Sequence, residues 1–126
     1  MDRHKKILVV DDEAPIRRVL ELKLKNGGYE VLLAEDGEAA RRVIEKERPD
    51  AVVTDLNMPR MDGKQLCETT NHLKTERPFL TIIMTARIIP DEEQWIKKMQ
   101  DTVFMEKPFS PSSILERIDR YFGYER

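Results

Sequence analysis

Ile7-Leu8-Val9-Val10-Asp11-Asp12-Glu13 is the stretch on which the fold turns: four apolar residues, three of them β-branched, run straight into three acids. The pattern returns along the chain. Ala51-Val52-Val53-Thr54 runs into Asp55, Leu80-Thr81-Ile82-Ile83-Met84 into Thr85-Ala86, and Val103-Phe104-Met105-Glu106 into Lys107-Pro108-Phe109. Short apolar, β-branched runs of about 4–8 residues bounded by polar residues are expected to be buried parallel strands. In an open parallel sheet, ligands bind beyond the carboxyl ends of the strands, where strand order reverses. If these runs are neighbours, Asp11, Asp12 and Asp55 converge with the hydroxyl of Thr85 and the ammonium of Lys107. Carboxylates that close repel one another and raise each other's pKa unless a cation sits among them. The patch therefore reads as a site for a hard divalent cation and a phosphoryl group.

Helical patterns fill the gaps between the runs. From Ala14 to Lys25, apolar residues at Ile16, Val19, Leu20 and Leu24 share one helical face, with Pro15 in the first turn and Asn26-Gly27-Gly28 as the stop. Tyr29 to Ala34 reads as the second strand. Asp36 or Gly37 opens a helix carrying Ala40, Val43 and Ile44, which Pro49-Asp50 ends. Asp62 is the expected N-cap of a third helix bearing Leu66, Cys67 and Thr70. Pro90-Asp91 starts a fourth with Trp95, Ile96 and Met99 on its apolar side. Ser110 caps a fifth, lined by Ile114, Leu115, Ile118 and Phe122. Strand and helix thus alternate through five repeats, which predicts an α/β fold: a doubly wound parallel sheet with helices on both faces and right-handed crossovers.

The bulk numbers narrow the class. A length of 126 residues suits one domain, taken as residues 1–126, with one core. Basic and acidic side chains number 22 and 24, spread along the chain for a net charge of −2, so no basic stripe marks the domain as a nucleic-acid binder. No apolar stretch approaches the ~20 residues needed to cross a bilayer. The basic N-terminus precedes only four apolar residues, too few for a signal peptide's apolar region of roughly 7–15. A single cysteine, Cys67, excludes an internal disulfide and fits a reducing, cytoplasmic location; its place beside Leu66 on an apolar face predicts a buried structural thiol. His4 and His72 lack metal-ligand spacing and are expected at the surface.

Val9-Val10-Asp11-Asp12-Glu13, the stretch from Thr54 through Asp55, Asn57, Pro59 and Arg60 to Gly63, then Thr85-Ala86, and finally Lys107-Pro108-Phe109 together resemble the receiver domain of bacterial two-component response regulators, of the CheY-like superfamily. Each piece alone is common; the order of all four, each at the end of a predicted strand, carries the resemblance across nearly the whole chain. The resemblance implies five strands in the order 2-1-3-4-5. It implies that Asp55 accepts a phosphoryl group from a histidine kinase or histidine phosphotransfer protein. It further implies Mg²⁺ (or Mn²⁺) on Asp12 and Asp55, with Asp11 acting through water and the backbone carbonyl of Asn57 completing the protein ligands. Lys107 is then the point charge on a phosphoryl oxygen, and Thr85 the hydroxyl that swings onto another. Thr85 and Phe104 form the implied switch toward the surface of the fourth helix, fifth strand and fifth helix. Asn57 and Arg87 flank the path of the water that removes the phosphoryl group. A cis Lys107–Pro108 bond is expected on the same ground.

Two positions depart from the family pattern. The aromatic three residues before the lysine is Phe104, which keeps a swinging ring without a phenolic hydroxyl. The segment Trp95-Ile96-Lys97-Lys98-Met99-Gln100-Asp101-Thr102 has no glycine to stop the fourth helix, and Trp95 stands where a small residue is usual, either as core or as an exposed contact. Rival functions fare worse. An aspartyl-phosphate hydrolase needs a second acid two residues after the nucleophile, where this chain has Asn57. A flavin or nucleotide binder needs a glycine-rich or hydroxyl-rich loop after the first strand, where this chain has Asp11-Asp12-Glu13. A receiver that binds without phosphorylation has no need of all the acids and Lys107. The expectation is thus a signalling domain that catalyses only its own phosphotransfer and dephosphorylation. It would be a monomer or a phosphorylation-dependent dimer, and either a stand-alone receiver or one cut from a longer regulator.

Overall fold

A computed structural model describes residues 4–124; the ends of the expected 1–126 domain lie outside the described residues. Strands β1 (Lys6–Val10), β2 (Glu30–Ala34), β3 (Ala51–Asp55), β4 (Leu80–Thr85) and β5 (Thr102–Glu106) alternate with helices α1 (Ala14–Asn26), α2 (Gly37–Glu47), α3 (Gly63–Thr70), α4 (Pro90–Ile96) and α5 (Pro111–Phe122). All pairings are parallel and the order is β2-β1-β3-β4-β5, as the resemblance implied. Alternation along each strand divides the core between the two faces. Ile7 and Val9 face Leu20, Leu24, Ile114 and Ile118, while Leu8 and Val10 face Ala40, Ile44 and Leu66.

Helix starts follow the sequence signals. The Asp36 carboxylate accepts from the Ala39 N–H at 2.8 Å to cap α2. Asp62 and Gln65 form a reciprocal capping box on α3, and the Ser110 hydroxyl accepts from the Ser113 N–H to cap α5. Gly123 closes α5 at φ 77°, a left-handed conformation that costs glycine nothing.

Several expectations need correction. Tyr29 precedes β2; its ring is buried and its hydroxyl donates to Asp119 on α5 at 2.5 Å. Val19, expected on the buried face of α1, is half exposed, because it borders an open apolar groove between α1 and the 107–111 segment. Met99 lies beyond α4, which ends at Ile96 and buries no residue completely. Its N-cap, Ile89, offers no polar side chain. The turn that follows α4 is held instead by Lys74, in the 3-10 segment Asn71–Thr75. The Lys74 ammonium is buried, packs over the Phe79 ring, and donates to Gln100 O at 2.5 Å, Thr102 Oγ1 at 3.0 Å and Asp101 O at 3.3 Å. Burial pulls its pKa down to about 8. Asp101 takes the left-handed conformation, φ 45°.

Candidate phosphoryl and metal site

The acid site is made by backbone register. β1 and β3 pair Val10 with Thr54, and β3 and β4 pair Asp55 with Met84, so their next residues emerge at one end of the sheet. One carboxylate oxygen from each of Asp11, Asp12 and Asp55 lies within 4.8 Å of the others. Asp11 and Asp55 are buried and Asp12 is exposed. Lys107, immediately after β5, reaches Asp55 Oδ1 at 3.0 Å. The Lys107–Pro108 peptide is cis, as expected.

The electrostatics are those of a site short of positive charge. Asp11 Oδ1 accepts from the Glu13 N–H at 2.9 Å, but its buried Oδ2 has no hydrogen-bond partner among the described residues. Burial, reinforced by the nearby Asp55 carboxylate, raises the Asp11 pKa to about 6 against the lowering effect of the Glu13 N–H. For Lys107, burial disfavours the ammonium, but the hydrogen bond and charge of Asp55 outweigh it and the pKa rises. A buried, unpartnered carboxylate oxygen beside two further carboxylates is the donor chemistry of a hard divalent cation, so the residues fit Mg²⁺.

The other predicted residues lie on β4, β5 and the loops that follow β3 and β4. Thr85 ends β4, buried, with Oγ1 donating to Arg87 O at 3.2 Å. The Lys107 N–H donates to Thr85 O at 2.7 Å, which ties the two strand ends together. Asn57 is exposed in the loop after β3, and Arg87 is exposed in the loop after β4. Phe104 is half-buried on β5 and packs against Trp95 with ring centroids 6.1 Å apart. Trp95 is half-buried, between the two readings that the sequence allowed. Cys67 is buried, while His4 and His72 are exposed.

Two supports escaped the sequence reading. Arg17, on the first turns of α1, donates to Asp11 O at 2.7 Å and so steadies the acidic turn from behind. Arg60, in a left-handed conformation at φ 69°, pairs with the α2 cap Asp36 at 2.9 Å and pins the loop after Asp55. A basic residue one turn beyond the acid pair was the available signal for the first; the second joins residues far apart in sequence and had none.

Residues 7–119 match the family described as the response regulator receiver domain. The chain is 36% identical over 115 residues to the alkaline phosphatase synthesis transcriptional regulatory protein PhoP of Bacillus subtilis (strain 168), covering 91% of this chain and 47% of that protein. It is 42% identical over 115 residues to the probable transcriptional regulator ycf27 of Cyanophora paradoxa, covering 90% and 46%. The chain thus spans about half the length of these relatives. Among solved structures, the Vibrio cholerae chemotaxis protein CheY4 superposes with a TM-score of 0.83 at 31% identity, covering 93% of this chain and 98% of that one. The receiver domain of the sensor histidine kinase PA1611 from Pseudomonas aeruginosa PAO1, described with a magnesium ion coordinated in its active-site cleft, gives 0.81 at 28%, covering 95% and 98%. With the strand order, the acid cluster and the lysine all in place, the chain belongs to the response regulator receiver domain family.

Proposed function

We propose that this domain is a phosphorylation-activated switch of a two-component or phosphorelay system, accepting a phosphoryl group on Asp55 from a histidine kinase or histidine phosphotransfer protein. The observation that carries the reading is the cluster of Asp11, Asp12 and Asp55 with Lys107 at 3.0 Å from Asp55. Asp11, Asp12, Asp55 and the Asn57 carbonyl would hold Mg²⁺, with Mn²⁺ as an alternative. When bound, that cation offsets the negative charge of the carboxylates and of the arriving phosphoryl oxygens.

The chain's own residues do the rest. An Asp55 carboxylate oxygen attacks phosphorus in line; the new P–O bond forms as the P–N bond to the donor's imidazole breaks. The Lys107 ammonium, already at Asp55, pairs with a phosphoryl oxygen as negative charge gathers there. The Thr85 hydroxyl leaves the Arg87 carbonyl and donates to another phosphoryl oxygen, and Phe104 moves into the space it vacates. The signal leaves through the surface of α4, β5 and α5, read by an output domain of a longer regulator or by a separate protein. Asn57 orients the water that later attacks phosphorus, and Arg87 covers the phosphoryl group and slows that attack.

Acetyl phosphate with Mg²⁺, followed by intact mass, tests the assignment. The chain gains one phosphoryl group and Asp55→Asn gains none; equal labelling of both proteins refutes it. At a hundredfold excess over its Kd, Mg²⁺ stabilises the fold by about 2.7 kcal/mol. Asp12→Ala abolishes that gain in a thermal melt, and a response equal to wild type removes Asp12 from the metal site.

A further inference from the structure

Helix α3 is locked to the phosphoacceptor strand. The Gly63 N–H donates to Leu56 O at 2.8 Å, and a Cβ placed on Gly63 would lie only 2.5 Å from Asp55 O. The helix therefore starts in backbone contact with Asp55, so a displacement of Asp55 would bear on its first turn. Helix α4 is the opposite case, with no fully buried residue and no polar N-cap side chain. Its indole is gripped from α3. Trp95 Nε1 donates to Glu68 Oε2 at 3.0 Å, and the Lys64 ammonium lies 5.3 Å from the ring centroid. Glu68 and Lys64 are one turn apart, so a single helix face presents both an acceptor for the indole N–H and a cation for its π-face. The same ring packs against Phe104.

We propose that Trp95 is a latch. In the unphosphorylated domain, α3 holds the indole against Phe104 through Glu68 and Lys64, and phosphorylation of Asp55 releases it, freeing α4 to move relative to β5. The inference rests on the switch reading and deepens it by adding a path from Asp55 through α3 to α4 that does not pass through Thr85. A contact made in only one of two states biases the equilibrium between them, and the bias is reciprocal with ligand binding at the other site. Breaking the latch therefore strengthens binding at Asp55.

Trp95 is the only tryptophan, so the emission of the whole chain reports on this ring alone. Emission and acrylamide quenching are measured with Mg²⁺ before and after acetyl phosphate, with intact mass in parallel, and beryllofluoride serves as an equilibrium mimic of the phosphoryl group. Phosphorylation shifts the emission to the red and increases quenching in wild type; Asp55→Asn shows no change. Glu68 is exposed, so Glu68→Ala folds; its unphosphorylated emission is already shifted, and its beryllofluoride affinity rises about fivefold. Glu68→Gln, which keeps an acceptor, falls between the two. A mass gain of one phosphoryl group with unchanged emission overturns the latch and leaves the switch standing, as does an unchanged beryllofluoride affinity in Glu68→Ala. Failure of the wild type both to gain mass and to bind beryllofluoride overturns the switch reading, and the latch with it.

Discussion

The centre of the sheet and its β5 edge are built to different standards. Every residue of β3 and β4 is buried, whereas no residue of β5 is, and α4 beside it buries none. The carboxylate that the reading makes a nucleophile sits at the end of the first kind of strand; the surface that must change sits on the second. In-line attack demands fixed geometry, and fixed geometry comes from strands packed on both faces. A switch demands two arrangements of similar free energy, and those come from elements with few buried contacts. On the proposed reading, position in the sheet therefore divides the chemistry from the response.

The contrast is open to direct attack. Ile82→Ala in β4 removes a fully buried side chain and is expected to cost about 2–5 kcal/mol in urea unfolding. Val103→Ala, its register neighbour on β5, is half-buried and should cost only about 1 kcal/mol. Equal losses would show that the edge is as tightly built as the centre.

Lys74 sharpens the comparison, because it ties the loose half to the rigid one. Lys74→Met leaves the Asp101 carbonyl without that donor and is expected to destabilise the fold by about 1–3 kcal/mol. The pH dependence has a definite sign. The folded pKa of about 8 lies below the ordinary lysine value of 10.5, so over that window the unfolded chain binds the proton more tightly. Stability then rises with pH, and wild type gains on Lys74→Met between about pH 8 and about pH 10. A difference that stays constant across that range would mean that Lys74 is not held in a low-dielectric site.

The smallest effect concerns the missing cap. Ile89→Ser supplies α4 with a side-chain acceptor and should add about 1 kcal/mol, read as slower amide exchange confined to α4. Exchange slowed throughout the domain would instead mean that α4 unfolds only with the whole.

Much of this is legible in the sequence. Asp62 and Ser110 cap helices as read, and Asp36, one of two readings for the start of α2, caps it, because capping is a local interaction between a side chain and the backbone within three residues. Asp11, Asp12, Asp55 and Lys107 meet, with Thr85 tied to Lys107 through the backbone, because each ends or follows a parallel strand, and parallel register delivers strand ends to one place. What failed was partial burial. Val19 has the helical spacing of a core residue, yet it borders a groove whose other wall is formed by residues 107–111, and helical periodicity carries no information about that wall. Met99 continues the helical pattern past the point where α4 stops.

By itself the sequence determined the alternation of strand and helix, the helix starts and the acids that share one end of the sheet. These follow from side-chain periodicity and from hydrogen bonds between near neighbours. The resemblance supplied the strand order. Tertiary structure alone decided that a lysine in a short 3-10 segment would be buried to hold the turn after α4, that Arg17 would brace the acidic turn, and that Trp95 would be gripped between α3 and Phe104. Those contacts mostly join residues that lie far apart in the chain. Their geometry depends on how whole helices settle against the sheet, and no local pattern encodes it.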